Sequence, residues 1–134
     1  MKRKTLLIFS LLMALLTFCL ASCDVESSGF IAGKYVQKNN GNSAKISFSS
    51  FKGNDDYKIH TSGDSPKTLK YTGKLDSGDA SVYYEVSGEK KELFRIKGGE
   101  EVNSSIGDIN DTSVKIFFEA PEKCKGGEFT FELE

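Results

Sequence analysis

The sequence predicts an all-β fold. Between residues 31 and 133, polar and apolar residues alternate with a period of two through most of the chain, as they do in strands with one buried face. All 5 tyrosines, all 13 glycines and most of the 10 phenylalanines lie after residue 22. Leucine is scarce there and methionine is absent, so the region is poor in good helix formers and rich in strand and turn formers.

Eight strands are predicted, separated by turns rich in Gly, Asn and Asp. Adjacent Leu93 and Phe94 leave the inward phase of the sixth strand ambiguous. The turns after the second and seventh strands are placed at Gly53-Asn54-Asp55 and at residues 121–127. The strands are Ile31 to Gln37, Ala44 to Phe51, Tyr57 to Ile59, Leu69 to Leu75, Val82 to Val86, Glu92 to Lys97, Val114 to Phe118 and Phe129 to Leu133.

The segment from Gly98 to Asp111 is the longest interruption between predicted strands. Val102, Ile106 and Ile109 are spaced by four and three residues, which suits one or two helical turns. Long loops on compact domains are often functional lids. The segment is therefore predicted either to cap one end of the domain or to form a functional loop.

The connections between the other strands are short, which makes sequential neighbours antiparallel partners. An eight-stranded antiparallel meander has two exposed edges unless it closes, and closure into a barrel removes them. The sequence thus predicts a small up-and-down barrel, with a two-sheet β-sandwich as the alternative. Gly33-Lys34-Tyr35 resembles the Gly-x-Trp opening of lipocalins, although the tryptophan is absent. This resemblance implies a lipocalin-like barrel.

The first 23 residues have the organisation of an export signal. Basic residues 2–4 precede an uncharged run of about sixteen residues, which is shorter than the roughly twenty needed to cross a bilayer. Leu20-Ala21-Ser22-Cys23 resembles the lipobox of bacterial lipoproteins. The resemblance implies cleavage between Ser22 and Cys23 by signal peptidase II and attachment of lipid chains to Cys23.

These features divide the chain into a lipoprotein signal peptide (1–22), a lipidated N-terminus with a short linker (23–30) and a β-barrel domain (31–134). The protein is expected to be exported and lipid-anchored, in the cell membrane or the outer membrane. Stable attachment takes two acyl chains or an equivalent pair of signals. The alternative is an ordinary secretory leader followed by a chance cysteine.

The sequence offers little for catalysis. Its single histidine, His60, falls on a polar face without a nucleophile motif, and no paired Cys or His residues suggest a metal or redox site. Asp108, Asn110 and Asp111 lack the full calcium-loop pattern. No catalytic residue, metal or cofactor is therefore predicted. Cys124, the cysteine that remains after Cys19 and Cys23, is expected to be a partly exposed free thiol in a turn.

Charge is distributed unevenly along the chain. Residues 34–74 hold eight lysines and three aspartates, whereas residues 75–134 hold seven basic and fourteen acidic residues. In a meander barrel these halves would form a basic side and, opposite it, an acidic wall with Glu85, Glu119 and Glu132. An anionic envelope component or a protein is the expected partner, and nucleic acid is not, because the chain is tethered and negative overall. The candidate basic binding face consists of Lys45, Lys58, Lys70 and Lys74.

The predicted function is a non-enzymatic binding role in the bacterial envelope, toward a ligand, a host protein or a hydrolase that it inhibits. A structural or accessory subunit of an envelope complex is the alternative, and an exposed apolar patch around Phe51, Tyr83 or Phe117 would favour it. An enzyme using carboxylates alone would need two acids converging in one cleft.

Overall fold

The computed structural model describes residues 29–63 and 66–134, which form eight strands and contain no helix. The predicted signal peptide, Ser22, Cys23 and nearly all of the linker lie outside the described residues. No helix within the described ranges is long and apolar enough to cross a membrane. All-β structure with eight antiparallel strands is thus confirmed. The strands are β1 (Phe30–Gly33), β2 (Val36–Asn39), β3 (Ser43–His60), β4 (Lys67–Ser77), β5 (Asp79–Val86), β6 (Glu89–Lys97), β7 (Glu101–Ile109) and β8 (Ser113–Leu133).

The long strands β3 and β8 pair with each other and form the centre of the sheet. Each was predicted as two strands separated by a turn, but each is one strand that bends. At the bend Phe51 pairs with Cys124 and Gly53 with Ala120, so the intervening residues 52 and 121–123 are left out of the ladder. Gly53 has a φ of 120°, a conformation that residues with a Cβ rarely adopt. A bulge of this kind bends a strand without ending it.

The bend divides the sheet into two layers. The front layer has the order β2, β3 (43–50), β8 (125–133), β4 and β7. The back layer has the order β3 (53–60), β8 (113–120), β5 and β6, and β1 pairs with residues 50–53 of β3. Each layer ends in a strand with a single partner, β7 in front and β6 behind, so the sheet is open.

The closed meander barrel is therefore wrong. The predicted barrel requires each strand to pair with the strands before and after it in the sequence. In the structure, β8 lies between β3 and β4 and also pairs with β5. The arrangement is closer to the alternative sandwich, because the inner faces of the two layers pack against each other. Phe118 of the back layer lies 4.9 Å from Phe129 of the front layer between ring centroids, and Phe94 lies 5.2 Å from Tyr71.

Phenylalanine rings fill the space between the layers, and two glycines make room for them. A Cβ on Gly127 would lie 2.2 Å from the Phe48 ring, and one on Gly73 would lie 2.5 Å from the Phe129 ring. Both glycines occupy inward positions of strands whose neighbouring inward residues are large. The glycine at each position therefore allows a ring to lie directly on the backbone.

Residues 101–109 form β7, a strand paired with β4, where the sequence predicted a cap or a loop. Val102 and Ile106 are four residues apart, which also fits a strand face with a period of two. Between Lys67 and Leu69 the register shifts, so that these residues pair with Ile109 and Ile106. The extra residue changes the phase and turns Ile109 inward, which produced the apparent helical spacing.

A third bulge explains the ambiguous phase of the sixth strand. Val82 of β5 pairs with Phe94, and the next residue, Tyr83, pairs with Glu92. Leu93 is the extra residue between them. Adjacent apolar residues are therefore compatible with a single inward face in β6.

Cys124 lies in β8 and is fully buried, where the sequence predicted a partly exposed thiol in a turn. Its Sγ donates a hydrogen bond to the Phe51 carbonyl oxygen at 3.4 Å. Burial raises the pKa of the thiol above its ordinary value. The thiolate, which is the reactive form, is therefore disfavoured at neutral pH.

We expect Cys124 to resist alkylation until the domain unfolds. With Cys19 and Cys23 changed to serine, an iodoacetamide-type reagent at pH 8 should label this thiol slowly in buffer and rapidly in denaturing urea. Free cysteine in the same two solutions controls for the effect of urea on the reagent. Equal labelling rates for Cys124 in the two solutions would contradict its burial.

Candidate binding site

Two aromatic side chains lie next to each other on the outer face of the back layer. Burial alternates along β8, so that Val114, Ile116 and Phe118 point inward and Phe117 points outward. Phe117 pairs with Tyr83 of β5 on one side and with Asp56 of β3 on the other. The antiparallel pairing therefore places both rings, half-buried, in the middle of a surface of otherwise polar residues.

Two lysines approach these rings. The Lys90 ammonium lies 4.3 Å from the Phe117 ring centroid and 4.8 Å from that of Tyr83, and the Lys115 ammonium lies 5.1 Å from that of Phe117. Each lysine also pairs with a carboxylate: Lys90 with Glu119 at 3.3 Å and Lys115 with Asp56 at 3.2 Å. Cation–π contacts at exposed sites contribute only about 0.5–1 kcal/mol, so a ligand can displace the lysines from the rings at small cost.

Phe117 and its charged neighbours border a surface groove of about 420 Å³, and Tyr83 lies next to Phe117 on the adjacent strand. The groove lining holds two lysines, three carboxylates and one amide. Each lysine is paired with a carboxylate, and the third carboxylate, Asp55, forms no salt bridge within the described residues. The groove therefore offers a ligand an apolar ring face together with hydrogen-bond donors and acceptors. It is lined by Asn54, Asp55, Asp56, Lys90, Lys115, Phe117 and Glu119.

One wall of the groove is held in place from within the domain. The Tyr35 hydroxyl donates a hydrogen bond to the Asp55 carboxylate. Burial, followed by this hydrogen bond, raises the pKa of Tyr35 well above its ordinary value, so the hydroxyl stays protonated as a donor. Tyr35 also packs against Phe30 and Phe51. Asp55 is thus fixed by a side chain that is itself packed.

The outer face of the front layer carries a second groove, of about 490 Å³. Glu128 lines this groove and pairs with Lys45 at 2.9 Å and with Lys74 at 3.5 Å. The hydrogen bond from Lys45 is the main cause that lowers the pKa of Glu128. This groove has no aromatic side chain. It is lined by Thr72, Gly73, Lys74, Glu101, Val102, Asn103, Glu128 and Thr130.

The structure brings three of the four candidate basic residues to one face. Lys45, Lys70 and Lys74 share the outer face of the front layer, whereas Lys58 lies on the back layer, paired with Lys115 across β3 and β8. The three on the front layer are each paired with a glutamate: Lys45 and Lys74 with Glu128, and Lys70 with Glu134 at 2.8 Å. The glutamates of β8 lie between the lysines of β3 and those of β4. Positive and negative charges therefore alternate across the outer face of the front layer. Binding of an anionic partner to this set stays a prediction.

No group of three or more His, Cys, Asp or Glu residues suited to a metal ion occurs within the described ranges. His60 is exposed at the end of β3. Of the residues considered for an exposed apolar patch, Phe51 is fully buried, and Tyr83 and Phe117 point outward. Sequence reasoning did not identify Lys90 and Lys115 as site residues, since only the pairing of β5, β6 and β8 brings them to the rings.

No known protein family and no curated protein matches this chain. Among solved structures, it is similar to a family 61 carbohydrate-binding module in complex with β-1,4-galactotriose, with 13% identity and a TM-score of 0.46 over 79% of this chain and 86% of that one. A family 4 module gives 16% identity and a TM-score of 0.41 over 83% and 82%. A family 29 module complexed with mannohexaose gives 18% and 0.40 over 78% and 77%. These values are too low to assign a family or a ligand.

Proposed function

We propose that this protein is a lipid-anchored lipoprotein of the bacterial envelope that binds a neutral carbohydrate chain without cleaving it. The binding site is the groove on the outer face of the back layer. The observation that carries the proposal is the adjacent, outward-pointing pair Phe117 and Tyr83 between ion-paired polar side chains. The lipobox-like Leu20-Ala21-Ser22-Cys23 supports the anchor.

A sugar ring has the two chemical properties that this groove accommodates. Its axial C–H groups form an apolar patch that can stack on an aromatic face, and its hydroxyls both donate and accept hydrogen bonds. A hydroxyl can bridge the Lys115 ammonium and the Asp56 carboxylate, or the Lys90 ammonium and the Glu119 carboxylate. A polyanion would meet three carboxylates and a polycation the two lysines. The paired charges therefore favour a neutral polyol.

The open, sheet-surface form of the site favours binding over catalysis. Asp56 and Glu119 both line the groove, which meets the requirement of converging acids that a carboxylate enzyme would need. Each, however, is engaged by a lysine. We therefore assign the two carboxylates to hydrogen bonding with sugar hydroxyls.

Replacing both Phe117 and Tyr83 with alanine is expected to weaken carbohydrate binding by about tenfold or more, because the ring surface that the sugar covers is lost. The measurement is affinity electrophoresis of the detergent-solubilised full-length protein in native gels containing β-1,4-galactan, mannan, β-glucan or polygalacturonate. The wild-type protein should be retarded by at least one of the neutral polymers. That retardation should change little with salt, since no net charge is neutralised.

The matched control is the Thr72→Ala/Thr130→Ala variant, which alters the second groove and leaves the rings in place. It should bind as the wild-type protein does. Loss of retardation in this control with retention in the aromatic variant would transfer the site to the front layer. Retardation by polygalacturonate alone would contradict the proposal that the ligand is a neutral carbohydrate. Release of reducing ends from a bound polymer would contradict the proposal that the protein does not cleave its ligand.

A further inference from the structure

The large hydrophobic residues that are exposed within the described ranges all lie in the first two strands. Ile31 is 82% exposed, Val36 48% and Phe30 39%. β1 and β2 follow each other along the same edge of β3, with a break at Lys34, which has a φ of 48°. The register places Ile31 opposite Lys52 and Val36 opposite Ser47, on the outer side of the sheet. One edge of the domain is thus apolar and solvent-facing.

Lysines border this edge. Ile31 pairs with Lys52, and Lys38 pairs with Lys45, a like-charge pair directly across two strands that is unfavourable in isolation. Lys45 is neutralised by Glu128. Lys34, Lys38 and Lys52 form no salt bridge with any acidic residue in the described parts of the chain. The edge therefore combines exposed aliphatic side chains with positive charge.

We propose that this edge, formed by Ile31, Val36, Lys34, Lys38 and Lys52, rests on the anionic lipid surface in which the protein is anchored. The inference depends on the proposed lipid anchor at Cys23. Seven residues join Cys23 to Ile31, and they span roughly 25 Å at most. The edge is consequently the part of the described domain that follows the anchor most closely along the chain.

The chemistry of the edge fits the boundary between headgroups and acyl chains. Aliphatic side chains at such a boundary enter it by about 5–10 Å, while lysines next to them meet anionic headgroups. The aromatic groove is lined by residues of β3, β6 and β8, and its lining residue Asn54 lies two residues after Lys52 of the edge on β3.

The chain contains no tryptophan, so a single introduced tryptophan reports its own environment. The test compares Ile31→Trp with Ser105→Trp, an exposed position on β7 at the opposite side of the front layer. Each full-length lipidated variant is reconstituted into phosphatidylethanolamine and phosphatidylglycerol vesicles. The tryptophan at 31 should shift its emission to the blue and be quenched by lipids brominated in the acyl chains, and that at 105 should do neither.

The possible failures are distinguishable. Protein that does not float with the vesicles would overturn both the anchor and this orientation. Protein that floats but shows equal quenching at the two positions would overturn the orientation alone. A blue shift at position 31 that persists in detergent without vesicles, with a cross-linked dimer, would assign the edge to a second copy of the chain instead. Changing Lys34, Lys38 and Lys52 to glutamine should reduce quenching at position 31 in these vesicles, and unchanged quenching would remove the electrostatic part of the proposal.

Discussion

Replacing Phe118 with alanine is expected to lower the free energy of unfolding by about 3–5 kcal/mol, the usual cost of removing a buried phenylalanine ring. Phe118 is fully buried between the layers. Its ring centroid lies 4.9 Å from that of Phe129, 5.0 Å from that of Phe51 and 5.7 Å from that of Phe48. A domain of this size has about 5–15 kcal/mol in total, so one substitution removes a large share of the stability.

The measurement is equilibrium urea unfolding followed by far-ultraviolet circular dichroism. Phe117→Ala is the matched control: it removes the same ring from the neighbouring residue, which faces the groove, and should cost about 1 kcal/mol or less. Phe118→Leu keeps most of the apolar volume and provides an intermediate value if the alanine variant does not fold. Equal losses of stability at positions 117 and 118 would contradict the inward and outward assignment of β8.

Replacing Cys23 with serine is expected to abolish lipid attachment and the processing of the precursor. A hydroxyl does not supply the sulfur that accepts the lipid, and each acyl CH₂ buried in a bilayer contributes about 0.8 kcal/mol to membrane attachment. The measurement is incorporation of radiolabelled palmitate in intact cells, together with the size of the protein on a denaturing gel. The variant should carry no label and remain at the size of the precursor.

The other two cysteines provide the controls. Cys19→Ser alters the leader before the proposed cleavage point, and Cys124→Ser alters a buried thiol of the domain. Both variants should retain the label. Label that persists in Cys23→Ser, or that is lost in Cys19→Ser, would refute the assignment of the lipid-bearing residue.

Strand content was predictable from the sequence because it depends on local patterns. The alternation of Ala44, Ile46 and Phe48 with polar residues marked the first part of β3, and the hairpin turn at residues 39–41 was placed correctly. Gly41 there has a φ of 81°, and its N–H donates to the Asn39 side chain at 3.0 Å. Short-range chemistry of this kind is contained within a few residues.

Pairing between distant strands could not be predicted in the same way. In a sequence, a glycine that bends a strand looks the same as a glycine that ends one. The sequence therefore predicts a turn at Gly53, whereas its positive φ only bends β3. The position of β8 between β3 and β4 depends on contacts across more than sixty residues, such as Ile46 with Phe129. The prediction of a barrel depends on the assumption that strands pair in the order of the sequence, and not on a pattern in the residues.

The candidate site also combines local features that the sequence shows with strand pairing that it does not show. Phe117 and Tyr83 were considered as possible surface residues, but their adjacency requires the β5–β8 pairing. Lys90 reaches the rings only because the Ser87–Gly88 turn folds β6 back beside β5. The basic and acidic halves of the sequence do not form separate surfaces. Because β8 pairs with β3 and β4, its Glu128 lies next to their lysines.

The central position of β8 has a consequence for the timing of folding. β3, β4 and β5 obtain their shared partner only from residues 113–133, which follow all the other strands along the chain. A ribosome or an export channel that delivers the chain from its N-terminus therefore releases the three strands before their ladder can close. The domain is kept from assembling prematurely by the order of its own sequence, which suits the proposed export of the extended chain across a membrane.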